Sequence, residues 1–88
     1  MSQKLIIESG ERGRIMEDHG ISGALLLCAL ELYDAASSVS FYEAAESPQY
    51  GIEQADRERA KARLRKAREK AEELDLEYEL TGFLLGGV

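Results

Sequence analysis

Apolar residues in the first half of the chain recur at the spacing of one helix face. Ser22 can cap a helix start, and six later residues follow at intervals of three or four: Leu25, Cys28, Leu32, Ala35, Val39 and Tyr42. This periodicity predicts a long helix over residues 22–46, ended by Pro48 because proline disfavours helical geometry at the preceding residue. Further leucines lie between these positions, so the helix is apolar nearly all round and must be covered nearly all round.

A second heptad pattern predicts another long helix over residues 52–80. Its seam is rich in alanine, which indicates close packing against a neighbouring helix, and comprises Ala60, Leu64, Ala67, Ala71, Leu74 and Tyr78. Arg59, Arg63, Lys66 and Lys70 border one side of this seam, and Arg57, Lys61, Arg65 and Arg68 border the other. We expect these margins to face acidic residues, in part Glu31, Asp34, Glu43 and Glu46 of the first long helix and further the acidic stretch 72–79 of an antiparallel second copy.

The two ends of the chain have weaker patterns. Residues 5–7 are apolar and fit either a short strand or the start of a helix, and a short helix is predicted over residues 11–19, ended by Gly20. The last residues, 80–88, are apolar without a charged tail, so we expect them to fold back onto the core or to dock into another subunit.

Together these patterns predict one all-α domain over residues 1–88. Its architecture is an antiparallel helical hairpin with a short N-terminal element, completed as a bundle by dimerisation or higher homo-oligomerisation. The predicted function is protein–protein interaction without enzymatic activity. The predicted interface consists of Leu25, Leu26, Leu30, Leu32, Tyr33, Ala60, Leu64, Ala67, Ala71, Leu74, Tyr78 and Phe83.

Composition narrows the class of partner. The net charge of the 88 residues is −6, which disfavours general affinity for nucleic acid. Eight of the eleven basic side chains lie within residues 57–70, however, so Arg59, Arg63, Lys66 and Lys70 are candidate contacts for an anion or an acidic partner. The longest apolar run, residues 24–30, is too short to cross a bilayer, and a lone cysteine suits a reducing compartment. We therefore expect a cytoplasmic protein that does not insert into membranes.

Candidate catalytic chemistry is sparse. His19 is the only histidine, so neither a Cys/His metal site nor a catalytic triad is predicted, and no cofactor is expected. Arg14 and His19 have the R-x4-H spacing that resembles the active-site signature of HEPN ribonucleases. In that family an arginine and a histidine, paired across a helical dimer, act on an RNA phosphodiester. The resemblance implies, as an alternative, a small helical ribonuclease, or an RNA-binding protein that uses the basic run 57–70.

Two other short stretches resemble known interaction modules. Residues 10–13 match the GXXG pattern of KH RNA-binding domains. Residues 29–36 and 41–44, followed by Pro48, resemble the helices of TPR hairpins and MIT domains, which are peptide-binding adaptors. This last resemblance implies a further alternative, a monomeric adaptor with an exposed groove.

Overall fold

The computed structural model describes residues 4–17, 20–21, 23–44 and 54–86. In chain order these residues form strand β1 (Leu5–Glu8), helix α1 (Arg12–Glu17), helix α2 (Gly23–Ala44), helix α3 (Gln54–Glu73) and strand β2 (Tyr78–Thr81). The three helices contain 68% of the described residues. This proportion confirms the prediction of a predominantly helical chain, although the two strands make it other than purely α.

The core lies where α2 packs against α3. The first apolar stripe of α2 and the alanine seam of α3 contribute most of the buried side chains, and these are joined by Leu5, Ile7 and Ile15. The Cys28 thiol donates to the carbonyl oxygen of Ala67 at 3.7 Å, and such an approach is possible because alanine holds the two backbones close together. The small residues of the seam therefore set the spacing between the two long helices.

The two ends of the chain meet in a small parallel sheet. Leu5 of β1 lies opposite Tyr78 of β2, and Glu8 lies opposite Thr81. The apolar side chains of β1 at positions 5 and 7 point into the core, where Ile7 is 0% exposed. Of the two structures that the sequence allows for residues 5–7, the chain therefore adopts the strand.

The predicted helix over residues 52–80 is wrong at its C-terminal end. The helix ends at Glu73, where the amide of Asp75 donates to the Glu72 carbonyl oxygen at 3.1 Å and the amide of Leu76 donates to the Ala71 carbonyl oxygen at 2.9 Å. These two bonds form a Schellman motif, which requires a left-handed residue after the helix. Asp75 fills that position with a φ of 54°, and the chain then turns into β2.

We predict that replacing Asp75 with glycine stabilises the fold. A left-handed conformation costs an L-residue about 1 kcal/mol that glycine does not incur, so Asp75→Gly should raise the unfolding free energy by about 0.5–1 kcal/mol. Urea denaturation followed by circular dichroism measures this change. Asp75→Ala is the control, because alanine retains the Cβ and should give no gain. Equal stability of the glycine and alanine variants would contradict the left-handed assignment.

Candidate protein interface

Helix α2 carries two stripes of mainly apolar residues, of which one is buried in the core. The second begins at Leu27 and recurs at alternating intervals of three and four; we call it the outer stripe, and it comprises Leu27, Leu30, Asp34, Ser37, Phe41 and Ala44. Leu27 is 69% exposed and Phe41 is 62% exposed. Leu27 and Phe41 are fourteen positions apart in the sequence, so they lie on nearly the same face of α2 and about 21 Å apart along its axis.

The start of α1 contacts α2 beside the middle of the outer stripe. Arg12 Nε donates to Asp34 Oδ1 at 3.3 Å, and the amide of Gly10 donates to the Tyr33 hydroxyl at 2.9 Å. These contacts hold α1 against α2 at this level, and Leu30 and Asp34 are half-buried. The outer stripe therefore presents two exposed apolar ends, Leu27 and Phe41, on either side of a neutralised carboxylate.

The C-terminal segment after β2 folds back along α2. The Phe83 ring packs edge-on against the Tyr33 ring with centroids 5.6 Å apart, and the amide of Leu84 donates to Ser40 Oγ at 3.0 Å. The Leu84 side chain remains 58% exposed. Because Ser40 precedes Phe41, Leu84 adds a third exposed apolar side chain close to one end of the outer stripe.

The predicted interface residues occupy two kinds of environment. Five are buried in the core of the chain itself, namely Leu32, Ala60, Leu64, Ala67 and Ala71. The other seven are partly exposed, namely Leu25, Leu26, Leu30, Tyr33, Leu74, Tyr78 and Phe83. Sequence analysis missed Leu27, Phe41 and Leu84, which are among the most exposed large apolar side chains of the described residues. Leu27 and Phe41 could have been found from the outer stripe, which has the same heptad spacing as the buried one, whereas nothing in the sequence distinguishes Leu84 from its neighbours.

The basic margins of α3 are largely paired within the chain. Arg63 donates to both carboxylate oxygens of Glu31, at 2.6 and 3.1 Å, and this hydrogen bonding raises the pKa of Arg63. Lys61 pairs with Glu43 of α2 at 3.7 Å, so these two acids of α2 supply part of the acidic margin expected from the sequence. Glu46 lies outside the described residues.

The other candidate anion contacts lie on the outside of α3. Arg59 pairs with Asp56 at 3.7 Å and Lys70 pairs with Glu73 at 3.5 Å, both within one helix turn. Lys66 is exposed and forms no ion pair with another described residue. The positive charges of the run 57–70 are therefore distributed around the helix rather than gathered on one free face.

The described residues include one member of the predicted ribonuclease pair. Arg14 lies on α1 and pairs with Glu8 at 3.2 Å and with Glu11 at 3.7 Å, and the predicted ribonuclease partner, His19, falls outside the described residues. Gly10 and Gly13, which matched the GXXG pattern, lie at the turn before α1 and within α1. Among the described residues no group of three or more histidine, cysteine, aspartate or glutamate side chains could hold a metal ion.

Comparison with known proteins adds no family to this description. The sequence matches no protein-family model, and neither a curated protein nor a solved structure is significantly similar to it. The candidate interface therefore depends on the geometry of this chain alone.

Cys28 and Tyr78 give the fold a predicted sensitivity to alkaline pH. Burial raises the pKa of the Cys28 thiol above its ordinary value of 9.0 and that of the Tyr78 hydroxyl above 10.0. An acid whose pKa is raised by folding stabilises the folded state fully below its unfolded pKa and loses that contribution as pH rises through the folded pKa. The unfolding free energy should thus be flat near neutral pH and fall once the pH exceeds about 9.

Urea denaturation between pH 7 and 10.5 measures this dependence. Cys28→Ala should remove the earlier part of the alkaline decline, and Tyr78→Phe should remove the later part, since neither replacement can ionise. An alkaline decline that is the same in both variants and the parent chain would contradict the burial of these two groups.

Proposed function

We propose that this chain is a non-enzymatic protein interaction module that self-associates through the outer stripe of α2. The observation that carries the proposal is the exposure of Leu27 and Phe41 on one face of a long helix. Burying a Leu or Phe side chain contributes about 1.5–3 kcal/mol relative to leaving it in water. A single partner helix lying along α2 would cover both.

A second copy of the same helix fits this surface. If two α2 helices pack antiparallel around a twofold axis at Asp34, Leu27 of each copy lies opposite Phe41 of the other, because these residues are equally spaced about position 34. The two Asp34 carboxylates would then approach each other at the centre. Arg12, which lies 3.3 Å from Asp34, supplies a positive charge that offsets their repulsion.

In this proposal α2 and α3 act as an antiparallel hairpin. Two contacts support that arrangement: Cys28, near the start of α2, touches Ala67 in the second half of α3, whereas Glu43, near the end of α2, pairs with Lys61 in the first half of α3. With its core-facing stripe packed against α3, α2 is free to offer the outer stripe to another chain.

A membrane-spanning α2 is the main physical competitor. By length and composition alone Gly23–Ala44 could cross a bilayer, with a mean hydropathy of 1.4, although the longest uninterrupted apolar run is much shorter. Glu31 and Asp34 lie near the middle of this helix, and each acid at the bilayer centre costs about 3 kcal/mol. Both are paired in the fold, with Arg63 and Arg12. We therefore favour a protein partner and retain the prediction of a cytoplasmic chain.

The sharpest test of the outer stripe is Phe41→Glu. This change removes an exposed apolar side chain and places a charge opposite Leu27 of the second copy, so it should weaken self-association about tenfold or more. Multi-angle light scattering over a dilution series measures the effect as a lower mean mass. Leu26 and Leu30 are less suitable positions, because both pack against the core and their substitution would also disturb folding.

Ala55→Glu is the matched control. Residue 55 is exposed in the first turn of α3, where an acid is favourable to the helix dipole, and the change in net charge is the same. Circular dichroism checks that both variants keep the parent's helical content. A mass unaffected by Phe41→Glu would refute the outer stripe as the interface, and a chain that is monomeric from the outset would favour the adaptor alternative.

A further inference from the structure

The outer edge of β1 has the features of a strand-pairing site. The amides of Leu5 and Ser9 donate across the sheet to Glu77 and Thr81, at 2.9 Å each. Backbone groups alternate in direction along a strand, so Ile6, which lies between these residues, directs its N–H and C=O away from β2. The sheet formed by the described residues has two strands, and this edge is therefore unpaired within it.

A groove runs beside that edge and leaves room for a further strand. It encloses about 460 Å³ and is lined by Lys4, Leu5 and Ile6 on one side and by Arg14, Ile15 and Glu17 of α1 on the other. No residue of β2 lines it, which places the groove on the side of β1 away from β2. Ile6 is 40% exposed, so an apolar side chain already faces solvent at this edge.

We propose that β1 pairs antiparallel with β1 of a second copy, which joins two sheets into one of four strands. In the register centred on Ile6, each Ile6 faces its equivalent, Leu5 faces Ile7, and the side chain of Lys4 faces that of Glu8 on the same surface of the sheet. Opposite charges directly across two strands are favourable. A shift of two residues would place Lys4 opposite Ile6 and lose both charge pairs.

The backbone geometry agrees with this register. Antiparallel strands alternate between residues that exchange hydrogen bonds and residues that do not. Centring on Ile6 makes the outward-directed residues, 4, 6 and 8, the hydrogen-bonded ones. The Glu8 carbonyl oxygen already accepts from the amide of Glu11 at 3.1 Å. The two amides of Ile6 and the two of Glu8 can still donate to the opposite strand, to Ile6 and Lys4, which gives four bonds across the interface.

The edge of β2 is a poorer site for the same contact. Glu77 and Glu79 are both exposed, and an antiparallel pair of β2 strands centred on Glu79 would set two of these carboxylates directly opposite each other. Like charges at facing positions destabilise strand pairing. In these registers the charge pattern of β1 is self-complementary, whereas that of β2 is self-repelling, and this difference favours β1 as the edge that joins two copies.

This contact is separate from the outer stripe and does not rest on it. A chain with two different twofold contacts assembles beyond a dimer, into a closed set of four or an open fibre. The Phe41→Glu variant weakens the helical contact, so at concentrations where that contact is lost it should remain a dimer held by β1. The β1 contact is best tested in that background, by light scattering over a dilution series.

A charge exchange distinguishes pairing between copies from pairing within one chain. In the Phe41→Glu background, Lys4→Glu or Glu8→Lys alone should raise the dimer dissociation constant about tenfold, because each places like charges opposite each other twice. The double exchange, Lys4→Glu with Glu8→Lys, should restore the original dissociation constant. Within the chain Lys4 lies 3.6 Å from Glu79 and Glu8 lies 3.2 Å from Arg14, and the double exchange makes both of those contacts repulsive.

The two explanations therefore predict opposite results. If the charges acted only within the chain, the double exchange would be at least as damaging as either single change, and the β1 contact would be refuted. A Phe41→Glu variant that is already monomeric would also refute it, while leaving the outer stripe intact as the proposed interface. A single change that leaves the dissociation constant unaltered would show that the side chains of Lys4 and Glu8 do not face each other across the interface. That result would also overturn the register.

A backbone change provides an independent check. Ile6→Pro removes the N–H that points toward the second copy and leaves the bonds to β2 intact, and proline is tolerated on an edge strand in this orientation. Dimerisation of the Phe41→Glu chain should be lost with Ile6→Pro and retained with Ile6→Val, which keeps the N–H. Circular dichroism must show equal helical content in both variants. A proline variant that is folded and still dimeric would refute the pairing.

Discussion

Everything else in this fold follows from the need to cover a helix that is apolar on nearly every side. α2 is 22 residues long, and an isolated helix with leucine and alanine around its circumference would be unstable in water. α3 covers one side through its alanine seam, Ile7 of β1 enters the same core, α1 contacts a second side, and the segment after β2 lies along a third. The two exposed ends of the outer stripe are what these elements leave uncovered.

The ion pairs contribute more to the orientation of the elements around α2 than to the stability of the fold. Arg63 with Glu31, and Lys61 with Glu43, tie α3 to α2 at the borders of the seam, and Arg12 with Asp34 ties α1 to the outer stripe. Exposed ion pairs contribute about 0–1 kcal/mol each. These ion pairs mainly orient the helices, because a pair on each border of the alanine seam fixes which face of α3 meets α2. The stability comes from the core, where Leu32 and Leu64 are fully buried.

Much of the helical part was predictable from local pattern. Residues 25–42 and 60–71 repeat at the helical period over several turns, and α2 and α3 lie where those repeats placed them. The predicted element over residues 11–19 is α1, shorter in the described residues. The burial of the alanine seam follows equally from small residues at regular spacing.

The strand at the C-terminal end was not predictable in the same way. Residues 74–80 alternate leucine or tyrosine with acidic residues, and this spacing fits both a strand and the tail of a heptad pattern. Whether these residues form a strand or continue the helix depends on pairing with residues 5–8, more than seventy positions earlier. A local sequence pattern carries no information about that pairing. The helix also ends at an aspartate in the left-handed conformation rather than at a glycine. The unpaired edge of β1 and the exposure of Leu84 likewise become visible only when the elements are assembled.

The central claim is that another copy of the chain covers the exposed surface of α2. The solution mass of the unmodified protein tests this claim most directly. Light scattering at about 0.1 M and about 1 M salt compares screening lengths of about 10 Å and about 3 Å. An apolar contact persists at both, so the account predicts a species at least twice the 9.8 kDa chain mass in both buffers. A 9.8 kDa monomer across the whole concentration range would contradict it.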